Sequence, residues 1–169
     1  MGGRLWVLAE RLLEAVMAAF LLAMALITGI DVIGRYVFNA PLSGGYEIVQ
    51  YLMAVSVFAA LPLAARAEGH LTIDLFTGRL TPRARHWHRI VMLAVSALVL
   101  AFLAWRMGAQ AQVMSSRQMV SGSLGLPLAP VGWTMTALAW LSVAVTLVLF
   151  AQALAGRQNT ATARGEDIG

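Results

Sequence analysis

Asp31 and Arg35 stand four residues apart in a largely apolar stretch. On a helix that spacing puts both side chains on one face, acid before base, the favourable order for an ion pair. Near a membrane either charge alone is costly. The pair can therefore bind an anion or relay protons, or it can anchor a helix end, with Glu47 as a bridging partner. Neither charge falls at the middle of its apolar segment, which favours anchoring. Three histidines, His70, His86 and His88, are the other candidates. Bis-histidine haem ligation needs imidazoles facing each other from different helices at one depth, and the first, second and fourth apolar segments contain none. A zinc site would have only Asp74 or Glu68 to add to His86-x-His88, so solvated or lipid-facing histidines are the better reading. The absence of cysteine removes thiolate nucleophiles, disulfides and sulfur-ligated metals. No phosphate-cradling glycine loop, intramembrane carboxylate pair or Ser/His/Asp set is present, so these residues argue against an enzyme and call for no cofactor in this chain.

The elements that position these residues are legible from hydropathy. Uncharged runs cover Ala15–Ile30, Ile48–Ala65, Ile90–Trp105 and Val131–Ala155. A hydrocarbon layer of about 30 Å needs roughly 20 helical residues, so each run with its flanks can cross a bilayer. Hydrophobic residues make up 60% of the 169 and charged residues 12%. A soluble domain this small cannot bury that much apolar surface, and lipid must cover part of it. The expected fold is all-α and integral to the membrane, with four transmembrane helices over about 12–38, 44–66, 82–112 and 129–155. These form one domain over 1–156, followed by a disordered cytoplasmic tail at 157–169.

The net charge of +4 comes from arginines without a single lysine. They flank the apolar runs, which reads as a topology signal and not as a nucleic-acid surface. With the N-terminus inside, the inner segments hold Arg4, Arg11, Arg66, Arg79, Arg83, Arg85, Arg89, Arg157 and Arg164, while the outer ones hold Arg35, Arg106 and Arg117. Both termini are thus expected in the cytoplasm. Trp6 and Trp87 mark inner boundaries, and Tyr36, Tyr46, Trp105 and Trp133 outer ones. Met1–Glu14 has the charge and hydropathy of a signal peptide, but the run continues to Asp31-Val32-Ile33-Gly34-Arg35 without a small-x-small site. It reads as a retained first helix.

Local signals set the helix ends. Asn39-Ala40-Pro41 stops the first helix, and Ser43 is the expected N-cap of the second, with Glu47 in its first turns where the helix dipole favours an anion. Thr81-Pro82 opens the third, and Pro127 and Pro130 bracket the start of the fourth. Pro62 is expected to kink the second. His70–Phe76 alternates like a strand, yet Leu71, Leu75, Phe76 and Leu80 also share a helical face, and an amphipathic segment on the inner interface is preferred. Ala15, Ala19 and Ala23, and again Ser56, Ala60 and Ala64, form small-residue stripes suited to close helix packing.

Two motifs resemble a known family. Asp31-Val32-Ile33-Gly34-Arg35-Tyr36-Val37-Phe38-Asn39-Ala40-Pro41-Leu42 followed by Tyr46-Glu47 resembles the first outer loop of the small membrane subunit of TRAP (tripartite ATP-independent periplasmic) transporters, the DctQ-like family. Phe58-Ala59-Ala60-Leu61-Pro62-Leu63-Ala64-Ala65-Arg66, leading into His70-Leu71-Thr72-Ile73-Asp74-Leu75, resembles that family's inner end of helix two. Leu124-Gly125-Leu126-Pro127 resembles its approach to the last helix. Some members carry two adjacent acids where this chain has Tyr46-Glu47. The resemblance implies a scaffold in the bacterial inner membrane for a large membrane subunit that carries the sodium sites and translocates substrate. A periplasmic substrate-binding protein then supplies an organic acid such as a C4-dicarboxylate. It also makes Asp31, Arg35, Glu47, Arg66, His70 and Asp74 structural or partner-interface candidates. No glycine-rich unwound segment interrupts a span, as a transport site of the chain's own would require. The rival readings are a haem- or quinone-binding membrane anchor of an oxidoreductase and a self-sufficient, homo-oligomeric small transporter.

Overall fold

The computed structural model describes residues 2–66 and 82–155. Within them lie four helices: α1 (Gly2–Val37), α2 (Gly45–Arg66), α3 (Pro82–Ser116) and α4 (Ala129–Leu154). All four are long and apolar enough to cross a membrane. The chain is an all-α, multi-pass membrane protein. Among the described residues there is no strand, only an isolated antiparallel bridge between Val120 and Pro127.

Two helices outrun their hydropathy. α1 begins at Gly2 instead of residue 12, because Leu5–Glu14 is built almost wholly of good helix formers. α3 continues past residue 112 to Ser116, since Met107, Ala109, Gln110, Ala111 and Gln112 favour a helix without being uniformly apolar. At 1.5 Å per residue, Arg106–Ser116 carries α3 about 16 Å beyond its uncharged stretch. The amphipathic segment His70–Phe76, with candidates His70 and Asp74, and the tail at 157–169 lie outside the described residues.

α4 is the central helix. It packs on α3 along most of its length and on α2 on its other side, while α1 leans mainly on α2. The sequential hairpins therefore form a row in the order α1, α2, α4, α3. Buried Thr136, Ala139, Val143 and Thr146 recur at spacings of three and four on α4, facing Leu93, Ala97, Leu100, Ala104 and Ala111 on α3. Such a period keeps one seam of each helix against the other. Size matters more than hydropathy along it, because lipid competes equally for any apolar side chain. A β-carbon on Gly132 would lie 3.1 Å from Cβ and 3.2 Å from Cα of Ala111, and one on Gly108 3.4 Å from the Thr136 methyl. Hydroxyls on α4 are satisfied within the helix: Thr136 donates to the Gly132 carbonyl (2.8 Å), Ser142 to Leu138 (3.0 Å) and Thr146 to Ser142 (2.9 Å).

Helices α2, α3 and α4 meet in a cluster of Ala65, Ile90, Leu93, Val145, Leu149 and Ala153. A second cluster, Leu100, Ala104, Ala139 and Val143, is covered by Phe58. α2 runs through Pro62, whose side chain is fully buried. The small-residue stripes divide. Ser56, Ala60 and Ala64 are half-buried on α2, beside the more deeply placed Ala59 and Ala65, whereas on α1 Ala15 and Ala19 are exposed and only Ala23 is half-buried. No described side chain of α1 is buried.

Candidate functional site: the two latched loops

The connections at 38–44 and 117–128 lie together at one end of the row, and backbone polarity explains how each is held. α1 ends where Phe38 and Ala40 both donate their amides to the Gly34 carbonyl (3.2 and 2.9 Å), with Asn39 left-handed at φ 51°. A β-carbon on Gly34 would stand 2.7 Å from the Ala40 oxygen, so the loop folds down over that glycine. Asp31 then serves two partners: Oδ2 accepts from Arg35 Nη2 at 2.8 Å and Oδ1 from the Leu42 amide at 2.8 Å. The ion pair read from the sequence is present, and its acid also pins the loop.

The entry to α2 differs from expectation. Leu42 accepts the Gly45 amide at 3.1 Å in a turn whose third residue, Gly44, has φ 80°. That sign at that position is what a type II turn demands, and glycine meets it without strain. The residue flanking α2 is thus Gly44, with Ser43 left inside the turn. A side chain at 44 would also collide with Leu124, whose carbons lie 2.3 to 2.7 Å from the β-carbon position. The first loop rests on the second there.

Glu47 makes the second tie. It stands in the first turn of α2, and instead of bridging to Asp31 and Arg35 it reaches across the row. Oε1 accepts the Ser123 amide at 2.7 Å and Oε2 the Leu124 amide at 3.2 Å. Asp31 and Arg35 already engage each other, while the turn at 123–124 presents two adjacent amides, which suit a carboxylate better than water does. The 117–128 loop is otherwise closed on itself. α3 ends in a Schellman arrangement, Met119 donating to Met114 (3.0 Å) and Gln118 to Ser115 (3.2 Å), with Gln118 left-handed at φ 47°. Ser121 donates its amide to Leu126 (2.9 Å) and accepts the Leu126 amide on its hydroxyl (3.1 Å).

The result is a hydrogen-bonded cap with an aromatic, cationic rim. Tyr36, Phe38 and Tyr46 are largely exposed around it, and the Arg35 side chain is 57% exposed despite its ion pair. Both carboxylates are committed to hydrogen bonds, so this end offers shape and charge and not acid–base chemistry. Of the other candidates, Arg66 closes α2 at the opposite end of the row. Among the described residues no three His, Asp or Glu side chains gather as a metal site would require.

Residues 24–157 match the protein family described as Tripartite ATP-independent periplasmic transporters, DctQ component. The chain belongs to the DctQ family. The match takes in α1 from Met24 onward, all of α2, α3 and α4, and both loops, with Asp31, Arg35 and Glu47 inside it. No curated protein matches the chain. DctQ proteins are components of transporters and not enzymes, and the DctQ family is associated with a large membrane subunit and a periplasmic binding protein.

Proposed function

We propose that this chain is the static scaffold of a TRAP transporter, holding the large membrane subunit in the inner membrane while that subunit performs sodium-coupled uptake of an organic acid such as a C4-dicarboxylate. The supporting observation is the one-sided packing of α1. Its apolar span has no buried residue, Leu22, Leu26, Ile30 and Ile33 are exposed along it, and a β-carbon on Gly29 would meet nothing. A glycine inside a helix is destabilising by about 1 kcal/mol relative to alanine, and close approach of a partner helix offsets that. The arginine distribution supports this reading with both termini in the cytoplasm, an orientation in which the latched loops face the periplasm and the binding protein. Arg35 and the aromatic rim then belong to the docking face, and sodium and substrate belong to the large subunit.

Co-expression with the large subunit of the same transporter, followed by affinity purification through a tag on this chain, should recover both in one complex. Deleting this chain should abolish binding-protein-dependent uptake. Uptake that persists in the deletion strain would refute the scaffold role.

A further inference from the structure

A cavity of about 380 Å³ lies between α2, α3 and α4 beneath the 117–128 loop, and nothing in the scaffold role uses it. Its volume falls within the roughly 300–1,000 Å³ typical of sites for small molecules. The lining is graded along the helix axes. Glu47 and Ser121 stand at the loop end, whereas Ala54, two turns or about 10 Å further along α2, lines it together with Val131 and Met135 of α4. Met114 of α3 adds a second thioether to the wall, and methionine walls adapt to irregular apolar chains. In a multi-pass protein the helix axes follow the bilayer normal, so the polar end faces the headgroups and the apolar end the hydrocarbon. Glu47 supplies the charge. Its oxygens take only neutral donors, the amides of Ser123 and Leu124 and the hydroxyls of Ser121 and Ser123, and among the described residues no arginine or histidine pairs with it, Arg35 being engaged by Asp31. A carboxylate held by neutral donors alone, above an apolar slot, keeps its negative charge and is complementary to an amphiphile with a cationic head.

We infer that this slot binds one phospholipid with a primary-ammonium headgroup, the ammonium against Glu47 and part of an acyl chain between Ala54 and Met135. A trimethylammonium head lacks N–H donors for the carboxylate, and a glycerol head lacks the charge, so headgroup preference is the signature. The binding needs only this chain and stands apart from the scaffold role.

Native mass spectrometry of the full chain, equilibrated with equal amounts of phosphatidylethanolamine, phosphatidylcholine and phosphatidylglycerol, tests it. The wild type should retain one phosphatidylethanolamine with a preference of about tenfold over the other two, as expected for one charge-assisted contact. Glu47→Gln, which keeps an oxygen for one loop amide, should lose the preference and still bind lipid. Ala54→Phe fills the slot and should lose lipids of all three headgroups, with circular dichroism and elution volume reporting an intact fold. Should that variant misfold, phosphatidylethanolamine with a photoreactive acyl chain should label the wild type at the Ala54 and Met135 peptides. Equal retention of the three lipids, no retention, undiminished retention in a folded Ala54→Phe, or labelling confined to the exposed face of α1 would each overturn the assignment. So would cross-linking of a partner protein's segment into the slot in place of lipid.

Discussion

Glu47 Oε1 lies 2.7 Å from the backbone nitrogen of Ser123, and that hydrogen bond closes 76 residues of sequence. It joins the α1–α2 hairpin to the α3–α4 hairpin at the loop end, next to the seat of Gly44 on Leu124. Replacing Glu47 by alanine should therefore loosen the 117–128 turn without opening the bundle. In hydrogen–deuterium exchange the amides of Ser123 and Leu124 should speed up, while those of Ala139–Thr146 in the buried seam keep their protection. Unchanged exchange at Ser123 would show that the carboxylate contributes nothing to holding the turn.

Gly132 sits against Ala111, whose Cβ and Cα would lie 3.1 and 3.2 Å from an added β-carbon and cannot swing aside, although the Met114 sulfur at 3.3 Å can. A Gly132→Leu variant must push α3 and α4 apart at the loop end. The expected loss is about 1–3 kcal/mol, the usual penalty of overpacking, seen as a lower thermal midpoint in detergent. A midpoint equal to wild type would mean that the helices part freely there.

Gln118 holds a left-handed conformation that a side chain tolerates poorly, at the position where helices most often place glycine. Gln118→Gly should stabilise the chain. Roughly 1–2 kcal/mol of backbone strain is relieved, partly offset by the greater freedom of glycine in the unfolded chain, leaving a gain of about 0.5–1 kcal/mol. A thermal midpoint that falls would show that the Gln118 side chain stabilises the α3 terminus by a contact of its own.

The sequence discloses some of this and hides the rest for identifiable reasons. The four spans and the Asp31–Arg35 pair follow from hydropathy and from the four-residue repeat of a helix, which are local properties. Which faces pack does not follow from hydropathy in a chain this apolar. Ala15 and Ala19 have the same spacing as Ala104 and Gly108, yet the first pair is exposed and the second lies in the α3–α4 seam. Only the complementary small residues on α4, Gly132, Thr136 and Ala139, single out the seam. The partner of Glu47 is hidden more deeply, because it is a pair of backbone amides and those carry no residue signature. Ser43 looked like a cap because its hydroxyl is suited to one, but the turn needed a positive φ beside it, and Gly44 took that place.

The central place of α4 bears on how the chain is made. The last of the four helices in chain order is the one on which α2 and α3 both depend, since those two share little contact of their own. Until α4 inserts, the earlier helices have only the α1–α2 pairing to hold them, and their small-residue seams face lipid. Assembly of the row is thus withheld until Ala129–Leu154 has been made. A chain stopped before Ala129 would present quality-control proteases with unpaired helices and no latched cap.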